Sequence, residues 1–93
     1  MNEAAVAEVL QSRGCVMQTF EYHAHFFGNW RARFSHGQRG FEIASDHRDG
    51  WMDLWEYPPD STGRQLCEQR SHTFDQADEL AVLENWLDET LAR

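Results

Sequence analysis

The spacing of apolar residues changes several times along the chain, and each change predicts an element. Val6, Val9 and Leu10 recur at helical spacing behind Asn2, a good capping residue, and Gly14 suits the left-handed position past a helix end. A short first helix follows. From Cys15 to Phe27 the period falls to 2, with Val16, Phe20, Tyr22, Ala24 and Phe26 on one face and Thr19, Glu21, His23 and His25 on the other. Gly28-Asn29 reads as a tight turn into a returning strand, in which Trp30, Ala32 and Phe34 alternate with Arg31, Arg33 and Ser35. Gly37 to Gly40 is a second turn, before Phe41, Ile43 and Ser45 alternate with Glu42, Ala44 and Asp46. The polar run Asp46-His47-Arg48-Asp49-Gly50 is a third turn, leading to "WMDLWEY".

That last strand is the distinctive one. Trp51, Asp53, Trp55 and Tyr57 point one way, and Met52, Leu54 and Glu56 the other, so both faces are largely apolar. Pro58-Pro59 ends it, because proline donates nothing to a ladder. Residues 60 to 72 read as a polar loop with a short extended piece around Leu66-Cys67. Thr73 with Gln76 has the form of a capping box, opening a helix of roughly 18 residues with Leu80, Leu83, Leu87 and Leu91 as its inward stripe. The predicted plan is a single α+β domain over residues 1–93: a four-stranded antiparallel meander with an N-terminal and a C-terminal helix on one face. Such a plan leaves the other sheet face to water or to a partner.

Composition narrows the function. Hydrophobic residues at 41% and charged residues at 26% are enough for one folded core in 93 residues. No stretch approaches the ~20 apolar residues of a membrane span, and no secretory signal opens the chain, so a cytoplasmic location and no membrane association are expected. Cys15 and Cys67 lack the paired spacing of a zinc site and read as reduced thiols. Sixteen acids stand against eight arginines and no lysine, a formal net charge of −8. That balance disfavours nucleic-acid binding, which depends on neutralising phosphates, and favours steering onto a basic protein.

Candidate chemistry is sparse. His23 and His25 share the polar face of the first strand, but nothing nearby completes a metal site, so no metal or other cofactor is expected. Neither a glycine-flanked nucleophile nor a phosphate loop is present, and no catalytic residue is assigned: the chain does not read as an enzyme. Asp75, Asp78 and Glu79 complement the dipole at the start of the last helix, whereas Asp88 and Glu89 near its end do not. The partner-binding residues expected from this reading are Trp51, Asp53, Trp55, Glu56, Tyr57, Asp88 and Glu89. For Trp51 and Trp55, internal packing stands as an alternative to an interface.

"FFGNWRARF", "RGFEIASDHRDGWMDLWEY" and "ADELAVLENWL" together resemble the small single-domain immunity proteins that bacteria encode beside polymorphic or contact-delivered toxins. The likeness spans roughly residues 20 to 90 and centres on Phe27-Gly28-Asn29 and the turn His47-Arg48-Asp49-Gly50 before Asp53. It implies a non-catalytic inhibitor that binds one cognate toxin in the producer's cytoplasm. The alternative is a homodimeric structural or regulatory protein whose sheet face packs on itself.

Overall fold

The computed structural model describes residues 1–59, 62–70 and 75–92. Its elements are α1 (Glu3–Ser12), β1 (Val16–His23), β2 (Asn29–His36), β3 (Arg39–Asp46), β4 (Trp51–Glu56), β5 (Arg64–Arg70) and α2 (Gln76–Leu91). The strands lie side by side in chain order, each pair antiparallel. The architecture is therefore α+β as expected, but the sheet has five strands rather than four.

The additional strand, β5, occupies part of the segment read as a polar loop. Only Leu66 and Cys67 in it touch the core, and the rest is exposed, as suits an edge strand that must not attract a second sheet. A break in register between Leu54 and Trp55 disturbs its alternation against β4 and hides the strand signal. The consequence for β4 is large: it is an interior strand, paired on both edges, so residues on its two faces are shielded by neighbours on either side.

β1 also differs from expectation. It ends at His23, and the chain from Ala24 to Gly28 forms a longer turn, closed by Phe26 and Gly28 amides donating to the His23 carbonyl at 3.0 and 3.1 Å. A bulge between Met17 and Thr19 swaps the faces, so Val16 pairs with Ser35 and is 64% exposed while Phe20 and Tyr22 oppose Ala32 and Trp30.

One cluster forms the core. Val6 and Leu10 of α1 and Leu83, Trp86 and Leu87 of α2 pack on Trp30, Ala32, Phe34, Phe41, Ile43, Met52 and Leu54 of the central strands. Both helices thus cover one sheet face. Each fully buried side chain of this size contributes about 1.5–3 kcal/mol, which is what a chain this short depends on. Asn2 caps α1 by accepting from the Ala5 amide, and Gly14 takes φ +74 just past the helix, both as its spacing predicts.

α2 starts later than expected. Thr73 lies outside the described residues, and Asp75 is the cap, accepting from the Asp78 amide at 2.8 Å. Gln76 instead accepts from the Asn2 amide at 3.0 Å, joining the starts of the two helices. In the predicted stripe Leu83 and Leu87 are fully buried and Leu80 and Leu91 partly so, but Glu79, Trp86 and Thr90 are buried beside them. Among the described residues, no helix is long and apolar enough to cross a membrane.

Candidate binding face

Alternation along each strand decides what reaches the face that the helices leave open. Register places Trp51 between Asp46 and Arg70, Asp53 between Ala44 and Glu68, and Trp55 between Glu42 and Gln65. On the far side, Arg31 and Arg33 of β2 stand opposite Ala44 and Glu42, and Glu21 of β1 stands opposite Arg31. The expected residues Trp51, Asp53, Trp55 and Tyr57 therefore share one surface. The first three are partly buried and Tyr57 is exposed.

Ion pairs organise the centre of this face. Glu42 is 8% exposed yet sits on the open side, because Arg33 contacts it at 3.1 Å and Arg31 at 3.8 Å. Arg31 also bonds Glu21, whose carboxyl this contact holds below the ordinary range. The Arg33 guanidinium lies 5.5 Å from the centre of the Tyr57 ring, in the position of a cation–π contact. Gly63 lies against the Tyr57 ring, where an added Cβ would be 2.4 Å from it. Only glycine lets the ring settle there without displacement.

Asp53 is held against its own preference. Burial raises its carboxyl above the ordinary 3.8, Glu68 and Glu42 push the same way, and a hydrogen bond from Trp55 offsets part of this. Carboxylates directly opposed across strands are destabilising, so facing Glu68 costs Asp53 stability, although Arg70, 2.8 Å from Glu68, offsets part of it. The sign is set by the raised folded value. Below pH 3.8 both states are protonated and the penalty vanishes; it builds as pH rises through the raised value and is complete above it. Asp53→Asn, which keeps an acceptor for Trp55, is expected to raise the melting temperature at pH 7 and to lose that advantage at pH 3. Thermal melts at the two pH values check this, and a variant that melts below the wild type at pH 7 would contradict it.

Toward the β1–β2 turn, the same face sinks into a concavity of about 400 Å³ lined chiefly by His23, Phe26, Arg31, Ala44, Asp46 and Trp51. Ala44, paired with Arg31 on one side and Asp53 on the other, is the shortest side chain of the lining. Phe26 was expected on a strand face of β1; folded into the turn, it becomes a wall of the cavity and is 50% exposed.

The remaining expected residues lie elsewhere. Glu56 projects under the helices, 8% exposed, where Arg39 and Arg64 bond it at 2.9 and 3.3 Å, so it is not a rim acid of the open face. Asp88 belongs to the helix layer and pairs with Arg13 at 3.2 Å, which gives it the structural role that the helix dipole denied it. Glu89 is an exposed residue of the same helix. Neither acid can join Trp51 and Trp55 in one contact patch.

His23 ends β1 and His25 falls in the turn, so the two do not share a strand face. Among the described residues, no three His, Cys, Asp or Glu side chains are placed to hold a metal ion. Cys15 and Cys67 are not joined in a disulfide, and burial pushes the Cys15 thiol up, away from reactivity.

A second polar group was not anticipated. Glu79, 1% exposed, reaches from α2 to the sheet and accepts from the Trp30 indole at 2.8 Å and from the Ser45 hydroxyl, with the His47 ring nitrogen at 2.8 Å. Its sequence signal was an acid next to Asp78 and four residues after Asp75 at a helix start, which a dipole explains equally well. No protein-family model matches the chain, and neither a curated protein nor a solved structure shows significant similarity to it.

Proposed function

We propose that the chain is a non-catalytic binding domain of the immunity-protein kind, which occupies a cognate bacterial toxin with its open sheet face in the cytoplasm of the producing cell. The observation that carries this reading is the open face itself. Trp51, Asp53, Trp55 and Tyr57 stand on a surface that neither helix covers, and Asp53 is kept there among like charges. Large aromatic rings beside ion-pair networks are the make-up of interface anchors, and residues held at a cost to stability are common at functional sites. The net charge of −8 suits a basic partner and speeds encounter with it. The immunity-protein identity rests on the sequence resemblance.

The test is co-expression with the toxin domain that this reading expects in the neighbouring gene, followed by binding measurements on variants. Trp55→Ala is expected to cost on the order of 2 kcal/mol of binding, chiefly through faster dissociation, and to leave a folded protein. Light scattering supplies the opposing result. A tight homodimer that hides Trp51 and Trp55 would replace this reading with self-association.

A further inference from the structure

We propose that the concavity between the β1–β2 turn and the start of β4 is an anchor pocket for an arginine side chain of the partner protein. This rests on the partner-binding reading and moves the centre of the contact from Trp55 toward Phe26 and Trp51. Three observations converge on it.

The first is shape. A cavity of about 400 Å³ is at the small end of the range for specific pockets, suited to one long side chain rather than to a large cofactor. Phe26 and Trp51 line it, offering aromatic surface to whatever enters.

The second is charge. Asp46 also lines the pocket, and Arg31, which lines it too, is already matched by Glu21 and Glu42. With Arg31 matched, the Asp46 carboxylate favours a cation, in a protein that carries −8 overall. Between the two basic side chains, the flat guanidinium stacks on rings while also presenting donors to a carboxylate, and an ammonium does the first of these poorly.

The third is the turn that supplies Phe26. Phe27 beside it adopts φ +61, a left-handed conformation that a bulky residue takes only against steric resistance. It is nevertheless 60% exposed, and its ring meets that of Phe26 edge to face with centroids 5.3 Å apart. Besides the two amides bound to His23, the Asn29 amide donates to the Phe26 carbonyl at 3.1 Å, which fixes the turn. The Arg48 guanidinium lies 6.0 Å from the centre of the Phe27 ring, but both phenylalanines stay half exposed on this strained turn, so burial within the chain rewards them only in part. Contact with a partner would bury the rest.

The experiment is an NMR titration of the isolated protein with N-acetyl-arginine-methylamide, and with the matching lysine and glutamate compounds. Saturable shifts are expected at the Trp51 indole and at the Phe26 and Asp46 amides, with a dissociation constant on the order of 10 mM for the arginine probe. Binding of the lysine probe should be about fivefold weaker, and the glutamate probe should not saturate. Asp46→Asn retains the acceptor that the Asp49 amide uses, so the turn should survive while arginine binding weakens at least about fivefold. Glu8→Gln, an exposed residue of α1 on the other side of the sheet, should bind the probe as the wild type does. No saturation with arginine, equal response to glutamate, or an unaffected Asp46→Asn would overturn the pocket. These outcomes are separable from the wider reading: a toxin released by Trp55→Ala from a protein that ignores the arginine probe removes the pocket alone. Arginine binding by a protein that does not bind the toxin domain removes the immunity reading alone.

Discussion

Replacing Glu79 by alanine is expected to destabilise the protein by about 3 kcal/mol and to lower its melting temperature by roughly 15 °C. The carboxylate is 1% exposed and serves partners on β2, on β3 and on the turn after β3. The partners do not share the loss equally. His47 reaches the surface through a side chain 24% exposed, and the Ser45 hydroxyl can rotate, but the Trp30 indole, in a residue 2% exposed, would be buried without an acceptor. An empty space the size of the missing methylene and carboxylate adds to the cost. Glu79→Gln keeps the volume and an acceptor, so about 1 kcal/mol should be lost. Urea titrations followed by tryptophan fluorescence read both effects. A double-mutant cycle with Trp30→Phe assigns the part that belongs to the indole. A loss under 1 kcal/mol in Glu79→Ala would mean that this group is dispensable for joining helix to sheet.

Arg39→Met is expected to cost about 2–3 kcal/mol, by leaving a buried carboxylate with only a solvent-exposed cation. Arg39 holds Glu56 in two contacts, at 2.9 and 3.2 Å, donates to the Thr90 carbonyl at 3.2 Å, and lies 4.8 Å from the centre of the Phe41 ring. It therefore ties β3 to β4 and to the C-terminal end of α2, where a cation also answers the helix dipole. Arg64 would remain on Glu56, but its side chain is 69% exposed and screened by water.

The pair also has a pH signature. Hydrogen bonding from Arg39, with help from Arg64 and against the effect of burial, holds the Glu56 carboxyl below its ordinary 4.5. A depressed folded value contributes stability that is complete above the ordinary value and is lost as pH falls through the folded one. The gap between wild type and Arg39→Met should accordingly be widest near pH 7 and narrow below about pH 4. Melting curves across that range decide it, and a gap that stays constant with pH would assign the cost to lost packing on Phe41 alone.

Local pattern alone was enough for the parts of this protein that repeat it. The 2-residue period of β2 and β4 separated Trp30, Ala32 and Phe34 from Arg31 and Arg33, and Met52 and Leu54 from Trp51, Asp53 and Trp55; the structure keeps these faces and turns the first of each pair toward the helices. The cap at Asn2 and the left-handed Gly14 were likewise legible, because each depends on neighbours within one turn of helix.

Tertiary structure decided what depended on distant partners. The identity of β5 as a strand rests on the unsatisfied edge of β4, since its own residues are mostly polar and out of alternation. One bulge in β1 reversed the faces of everything before it, which no count along the sequence reveals. Charge showed the same division. Glu42, Glu56, Glu79 and Asp88 look alike as acids in the sequence, yet arginines brought from other strands or from the end of α1 match three of them and an indole, a hydroxyl and an imidazole surround the fourth. A carboxylate is worth what surrounds it, and in an antiparallel sheet under two helices those surroundings come from residues far away in the chain.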